Sequence, residues 1–91
     1  MNNMDKKIHI GTISILVKDR QSHAKDLNQM LGDNGHLIMA RLGVNLQKSC
    51  VDHCTGLIVV TVEGNALEIN SLTKKIDSLY GIVAKVSLMT D

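Results

Sequence analysis

Aromatic side chains are almost missing from this chain of 91 residues: it has one Tyr, no Phe, no Trp, and no Pro either. Without aromatic rings there are no stacking platforms of the kind single-strand nucleic-acid binders use. Charge of one sign is also lacking, with ten Lys plus Arg against nine Asp plus Glu and a formal net charge of +1. Such a balance gives no field to attract nucleic acid, so direct nucleic-acid binding is not expected. Long apolar runs are absent as well. None approaches the ~20 residues of a membrane span, and the opening Met1-Asn-Asn-Met-Asp-Lys-Lys7 leads into no signal-peptide stretch. The chain has only two cysteines. With no export signal, the cytoplasm with reduced thiols is the expected setting, and no membrane partner is expected.

What the chain does have is aliphatic surface: 44% of its residues are apolar, and they are almost all Ile, Val, Leu, Ala and Met. Residues 1–7 read as a polar, flexible tail. Residues 8–91 read as a single domain. Ile8 to Val17 is rich in β-branched residues with a period near two, which predicts a strand. Asp19 or Ser22 can cap a following helix whose apolar face is Ala24, Leu27, Met30 and Leu31. Gly32-Asp-Asn-Gly35 ends it, the glycines being expected to supply positive φ. A second strand is predicted over His36 to Val44, followed by a polar connection over Asn45 to Gly56 and a third strand over Leu57 to Val62. Asn65 with Glu68 has capping-box spacing and opens a second helix with Ile69, Leu72, Ile76 and Leu79 buried. Gly81 marks its exit, and Ile82 to Met89 alternates as a last strand.

The order β-α-β-β-α-β predicts an α+β, ferredoxin-like sandwich: a four-stranded antiparallel sheet with both helices on one face. Two helices cover one face only. If Ile38, Ala40, Leu42, Ile58, Val60 and Val62 face them, then Leu37, Met39, Leu57, Val59, Val83 and Met89 do not. Apolar surface of that extent is unusual on a monomer and points to a homodimer or homotetramer. A solvated sheet with scattered apolar residues is the alternative.

The densest polar cluster is Cys50-Val-Asp-His-Cys54. Thiolates and imidazole are metal ligands, and Cys50, His53 and Cys54 lie close enough in sequence to reach one ion. The spacing matches no zinc-finger or iron–sulfur pattern, and ordinary loop residues are the plainer reading. No catalytic set is visible: no paired carboxylates, no Ser/His/Asp set and no Cys/His pair in a nucleophile motif. Arg41 is a lone cation inside an apolar strand. It is either an edge arginine whose stem packs on the sheet or a contact for an anion or carboxylate across a subunit boundary.

Four stretches carry a family likeness. They are Ile13-Ser-Ile-Leu-Val-Lys-Asp-Arg20, Ile38-Met-Ala-Arg-Leu-Gly-Val44, Leu57-Ile-Val-Val-Thr-Val-Glu-Gly64 and Leu72-Thr-Lys-Lys-Ile-Asp-Ser-Leu-Tyr-Gly-Ile-Val-Ala-Lys-Val86. Together they resemble the small stand-alone regulators of the iron-only hydrogenase system. That family is related in fold to the C-terminal ligand-binding domain of the nickel-responsive regulator and to ACT domains. The likeness runs over nearly the whole chain from about Lys6, and Arg41-Leu-Gly-Val44 is its most specific element. The sequence departs at Asn45, where the family tends to have a Pro soon after, and in the helix Leu72-Thr-Lys-Lys-Ile-Asp77, which lacks the family's glycines. The nickel regulator's ligand set of three histidines and a cysteine has no counterpart. Met39, Arg41 and Gly43 occupy the alternating positions of the second strand instead.

The resemblance implies a non-enzymatic regulatory or sensory module without its own DNA-binding motif. It would act as an oligomer that binds a small effector or a separate regulatory protein, with Met39, Arg41 and Gly43 as candidate ligand or interface residues. A metal- or redox-responsive protein using Cys50, His53 and Cys54 is the alternative. No cofactor is indicated.

Overall fold

A computed structural model describes residues 6–45 and 54–90 of the chain. Its elements follow the expected order: β1 (Ile8–Val17), α1 (Arg20–Asp33), a 3-10 turn (Gly35–Leu37), β2 (Ile38–Asn45), β3 (Gly56–Asn65), α2 (Ala66–Asp77) and β4 (Ile82–Leu88). The four strands form one sheet in the order β2-β3-β1-β4, with antiparallel pairing throughout. This is the ferredoxin-like arrangement. β2 and β4 are the edges.

Alternation along β1 sets the core. Ile13, Ile15 and Val17 point to the helix side and are fully buried. They pair in register with Val60, Ile58 and Gly56 of β3 and with Val86, Ala84 and Ile82 of β4. Leu27 and Leu31 of α1 and Ile69, Leu72 and Ile76 of α2 close over them. Of the apolar stripes that helical periodicity names, Leu27, Leu31, Ile69, Leu72 and Ile76 are buried. Met30 and Leu79 are partly buried at the core's margin, with Leu79 beyond the end of α2, and Ala24 turns away from the core. α2 lies over β3, β1 and β4, whereas α1 packs on β1 and α2. The flank of α1 toward β2 is therefore open.

Local chemistry explains the helix ends. The Asn65 side chain accepts from the Glu68 backbone N–H at 2.8 Å, and Glu68 Oε1 accepts from the Asn65 N–H at 3.1 Å. This reciprocal pair lets β3 run straight into α2, so the third strand extends to Asn65 rather than ending at Val62. At α1 the cap position falls on Asp19, which is left-handed at φ 47° and makes no side-chain cap bond. Its carboxylate accepts from the Ser22 hydroxyl at 3.0 Å instead.

Two expectations are corrected. Neither Gly32 nor Gly35 has positive φ; among the described glycines only Gly81 does. α1 instead ends on Asn34, whose side-chain amide donates to the Met30 carbonyl at 2.9 Å while the backbone turns into the 3-10 segment. A side-chain amide has taken over the carbonyl that a glycine exit would leave to the backbone.

The second correction concerns the two faces of β2. Its register with β3 shifts between Ile38 and Ala40, so Met39 is an extra residue. A bulge of this kind inverts the alternation beyond it. Ile38 packs toward the core as expected, but Ala40 and Leu42 pair with Thr61 and Val59 on the outer face, and Leu42 is 68% exposed. Arg41 and Gly43 pair with Val60 and Ile58 and so stand on the helix side. Leu37, expected on the outer face, is buried beneath the 3-10 turn. The outer face carries Leu16, Leu42, Leu57, Val59 and Val83 with no helix over them, all partly or largely exposed.

Candidate functional site: a cleft between α1 and the edge strand

Where α1 stands away from β2 the fold leaves a cavity of about 520 Å³. Its helix wall is one stripe at four-residue spacing, Arg20, Ala24 and Asn28, together with Gln21. Its floor is the sheet: Val17 from β1, Gly56 and Ile58 from β3, and Arg41 and Gly43 from β2. Leu27 and Leu31 lie on the other flank of the same helix, in the core. α1 therefore closes the core with one face and opens the cleft with another.

The polar groups of the cleft are ordered by a few bonds. Arg41 Nη2 donates to Asn28 Oδ1 at 3.1 Å, linking the edge strand to the helix. The Gln21 amide is used at both ends: Oε1 accepts from the Cys54 N–H at 3.3 Å, and Nε2 donates to Cys54 Sγ at 3.6 Å. The Arg20 N–H donates to the Cys54 carbonyl at 2.7 Å. The first turn of α1 is thus bolted to the residues that lead into β3, which fixes where the Arg20 side chain emerges. Among the described residues lining the cleft there are two guanidinium groups and no carboxylate. Gly43 leaves the floor open: a Cβ there would meet only Ile58 Cγ1, at 3.7 Å.

The structure brings Arg41 and Gly43 together in one cavity. It leaves Met39 at the bulge, 53% exposed and outside the lining. Arg20, Gln21 and Asn28 were not singled out from the sequence. Their signal was the spacing 20, 24, 28, which reads as a solvated helix face until the edge strand is placed beside it. Cys54 is 4% exposed and its sulfur is in a disulfide, not the reduced thiol expected. In that form the sulfur is not a thiolate. Cys50 and His53 lie outside the described residues. Among the described residues no three His, Cys, Asp or Glu side chains converge as a metal site.

Residues 9–86 match the TM1266-like family model, described as "Iron-only hydrogenase system regulator, putative". The chain belongs to this family. TM1266 from Thermotoga maritima superposes with a TM-score of 0.81 at 18% identity, covering 92% of this chain and 100% of that one. At that identity the likeness speaks for the fold, and the family model speaks for membership.

Two more distant structures share the architecture. A nitrogen regulatory PII-like protein, CPII from Thiomonas intermedia K12, bound to ADP, AMP and bicarbonate, gives a TM-score of 0.53 at 12% identity, over 93% of this chain and 98% of that one. YXEP from Bacillus subtilis, a dinuclear metal-binding peptidase of the M20 family, gives 0.52 at 11% identity, over 89% of this chain but only 26% of the peptidase. No curated protein matches the chain significantly. No helix among the described residues is long and apolar enough to cross a membrane.

Proposed function

We propose that this member of the hydrogenase-system regulator family is a non-enzymatic sensory module of the cytoplasm. It binds a small effector in the cleft between α1 and β2, and it self-associates through the bare face of its sheet. Its signal passes to a separate regulatory protein, since the sequence offers no helix-turn-helix, ribbon or basic stripe for DNA. The observation that carries this reading is the cleft itself. It is a concavity of about 520 Å³ lined by small aliphatic residues and a few convergent polar groups, within the ~300–1,000 Å³ range of small-molecule sites. The uncovered aliphatic face supports association in the same way, because apolar surface of this kind marks an interaction site more often than a monomer surface.

A thermal-shift screen of small metabolites tests the effector reading, since a ligand that binds only the native state raises the melting temperature. Hits are expected, and Gly43→Val, which fills the floor of the cleft, is expected to remove them. Hits that survive Gly43→Val in full place the effector elsewhere and sink the reading.

The Cys54 disulfide favours a second reading, a redox-responsive form of the same module. Disulfides in cytosolic proteins are usually transient and redox-sensing. Cys54 is also bonded to Gln21 and Arg20 on the cleft's helix wall. A dithiol reductant would convert the disulfide to two thiols while being oxidised to a disulfide itself. Melting temperature and hit affinity are then compared before and after reduction, and identical values remove the redox reading.

A further inference from the structure

The composition of the cleft narrows the chemistry of its occupant, and the following rests on the effector reading above. We infer that the cleft takes a small organic anion, with a carboxylate or phosphate head between Arg20 and Arg41 and a short aliphatic body over Ala24 and Ile58.

Three features point the same way. The first is charge. Arg20 and Arg41 line one cavity whose described walls hold no carboxylate, in a chain of net charge +1. Elsewhere the lysines and arginines are closely balanced by acids, so this is a local surplus. Guanidinium groups present planar forks of N–H donors that match the two-oxygen edge of carboxylate and phosphate, and such charge-assisted bonds are about twice as strong as neutral ones.

The second is orientation. Arg41 donates only one bond among the described residues, from Nη2 to Asn28 Oδ1, and a guanidinium has five N–H donors. The Asn28 bond holds the group against α1 and leaves further donors for a ligand. The Arg20 backbone is fixed by its bond to the Cys54 carbonyl, so the side chain starts from a defined point on the rim. Pre-set donors of this kind lower the ordering cost of binding.

The third is what the lining excludes. A divalent cation wants carboxylate or carbonyl oxygens, and the cavity presents two cations instead. A nucleoside wants a ring to stack on, and none of the described residues lining the cleft is aromatic. Beside the arginines and the amides of Gln21 and Asn28, the rest of the described lining is aliphatic and small: Ala24 and Ile58, with Gly43 and Gly56 giving room. That floor suits a chain of a few carbons.

The test is a titration of the full chain followed by backbone amide NMR with four probes: valerate, butyl phosphate, inorganic phosphate and valeramide. Either valerate or butyl phosphate is expected to shift the amides of Arg20, Gly43 and Ile58 saturably. Whichever binds more tightly identifies the head group as carboxylate or phosphate. Valeramide has the shape of valerate without its charge and is expected to bind at least about tenfold more weakly. Arg20→Gln and Arg41→Gln are each expected to weaken the anion about tenfold, and Gly43→Val to abolish it, all three keeping dispersed spectra of the folded state. Inorganic phosphate binding as tightly as butyl phosphate overturns the aliphatic part of the inference.

Valeramide matching valerate, with the arginine variants unchanged and Gly43→Val still blocking both, overturns the anion inference and leaves the cleft as an effector site. Binding that ignores Gly43→Val overturns both. Silence from all four probes overturns this inference alone, because the metabolite screen judges the effector reading independently.

Discussion

Arg41 on the edge strand reaches across the open flank of α1 and donates from Nη2 to Asn28 Oδ1 at 3.1 Å. Both residues are exposed, so solvent competes for the bond and its net worth to the fold is small. Arg41→Ala is therefore expected to change the unfolding free energy by less than about 1 kcal/mol, and Asn28→Ala likewise. Urea denaturation of the two single variants and the double variant checks this. A loss well above that value would make Arg41 a structural brace of β2 rather than a group held for a ligand.

Gly81 is a different case, because two constraints meet on one atom. Its φ is +76°, and a Cβ there would lie 2.5 Å from Nδ1 and Cε1 of His23. The ring has little room to retreat: its Nδ1 lies 2.6 Å from the Lys18 carbonyl, and it stands edge-on to Tyr80 with centroids 5.4 Å apart. The left-handed conformation alone costs an L-residue roughly 1–2 kcal/mol. Gly81→Ala is expected to exceed that, to about 2–4 kcal/mol, once the displaced ring is included. Adding His23→Ala removes the collision but not the backbone strain. The double variant should thus recover part of the loss, and denaturant midpoints of the set show whether it does. Full recovery would mean that the left-handed backbone costs nothing here.

How much of this was legible beforehand can be followed residue by residue. The strand and helix order, the buried stripes Leu27/Leu31 and Ile69/Leu72/Ile76, and the Asn65–Glu68 box all came from periodicity and local chemistry, which act within a few residues. The faces of β2 did not, because one inserted residue at Met39 inverts the parity of everything after it. A bulge leaves no composition signal. Arg41 stands out as a lone cation within an apolar strand, and Gly43 shares its alternation, but their companions Arg20 and Asn28 lie on another element. Only the tertiary placement of α1 beside β2 joins them, and no spacing rule encodes it. Gly32 and Gly35 suggest a glycine exit for α1, but Asn34 takes the carbonyl that a glycine turn would serve.

The start of α2 gives a third prediction. Asn65 Oδ1 satisfies one free N–H of the first turn, and Glu68 returns a bond to Asn65. Asn65→Ala removes the Oδ1 acceptor while keeping the backbone N–H that donates to Glu68, and is expected to cost about 1 kcal/mol. Asn65→Ser and Asn65→Asp keep an acceptor in place and should stay close to the parent protein. Melting temperatures of the three variants, measured together, separate loss of the cap from mere change of size. An equal loss in all three would point to the strand end rather than the cap.

The last prediction concerns the face that no helix covers. Leu16 pairs in register with Leu57 and with Val83, and Val59 with Leu42, so the aliphatic side chains run across strands rather than along one. Continuity of that kind distinguishes a contact surface from scattered exposure, since each side chain shields its neighbours when a second surface docks. The middle of the same face, by contrast, carries Thr12, Ser14, Thr61 and Lys85, with the exposed Ile8 and Ile10 beyond them. Self-association through the aliphatic cluster around Leu16 should then respond to charge placed there and much less to charge in the polar middle. The parent chain is expected to sediment as a dimer or tetramer of its 9.9 kDa protomer at micromolar concentration. Leu42→Lys and Leu57→Lys, which put like charges into a desolvated contact, should shift it toward monomer, whereas Ser14→Lys or Thr12→Lys should do so much less. Sedimentation velocity with circular dichroism as a folding control reads both. A parent chain that sediments as a clean monomer, or an assembly indifferent to lysine at Leu42 and Leu57, would place the aliphatic face in solvent and remove it from the mechanism.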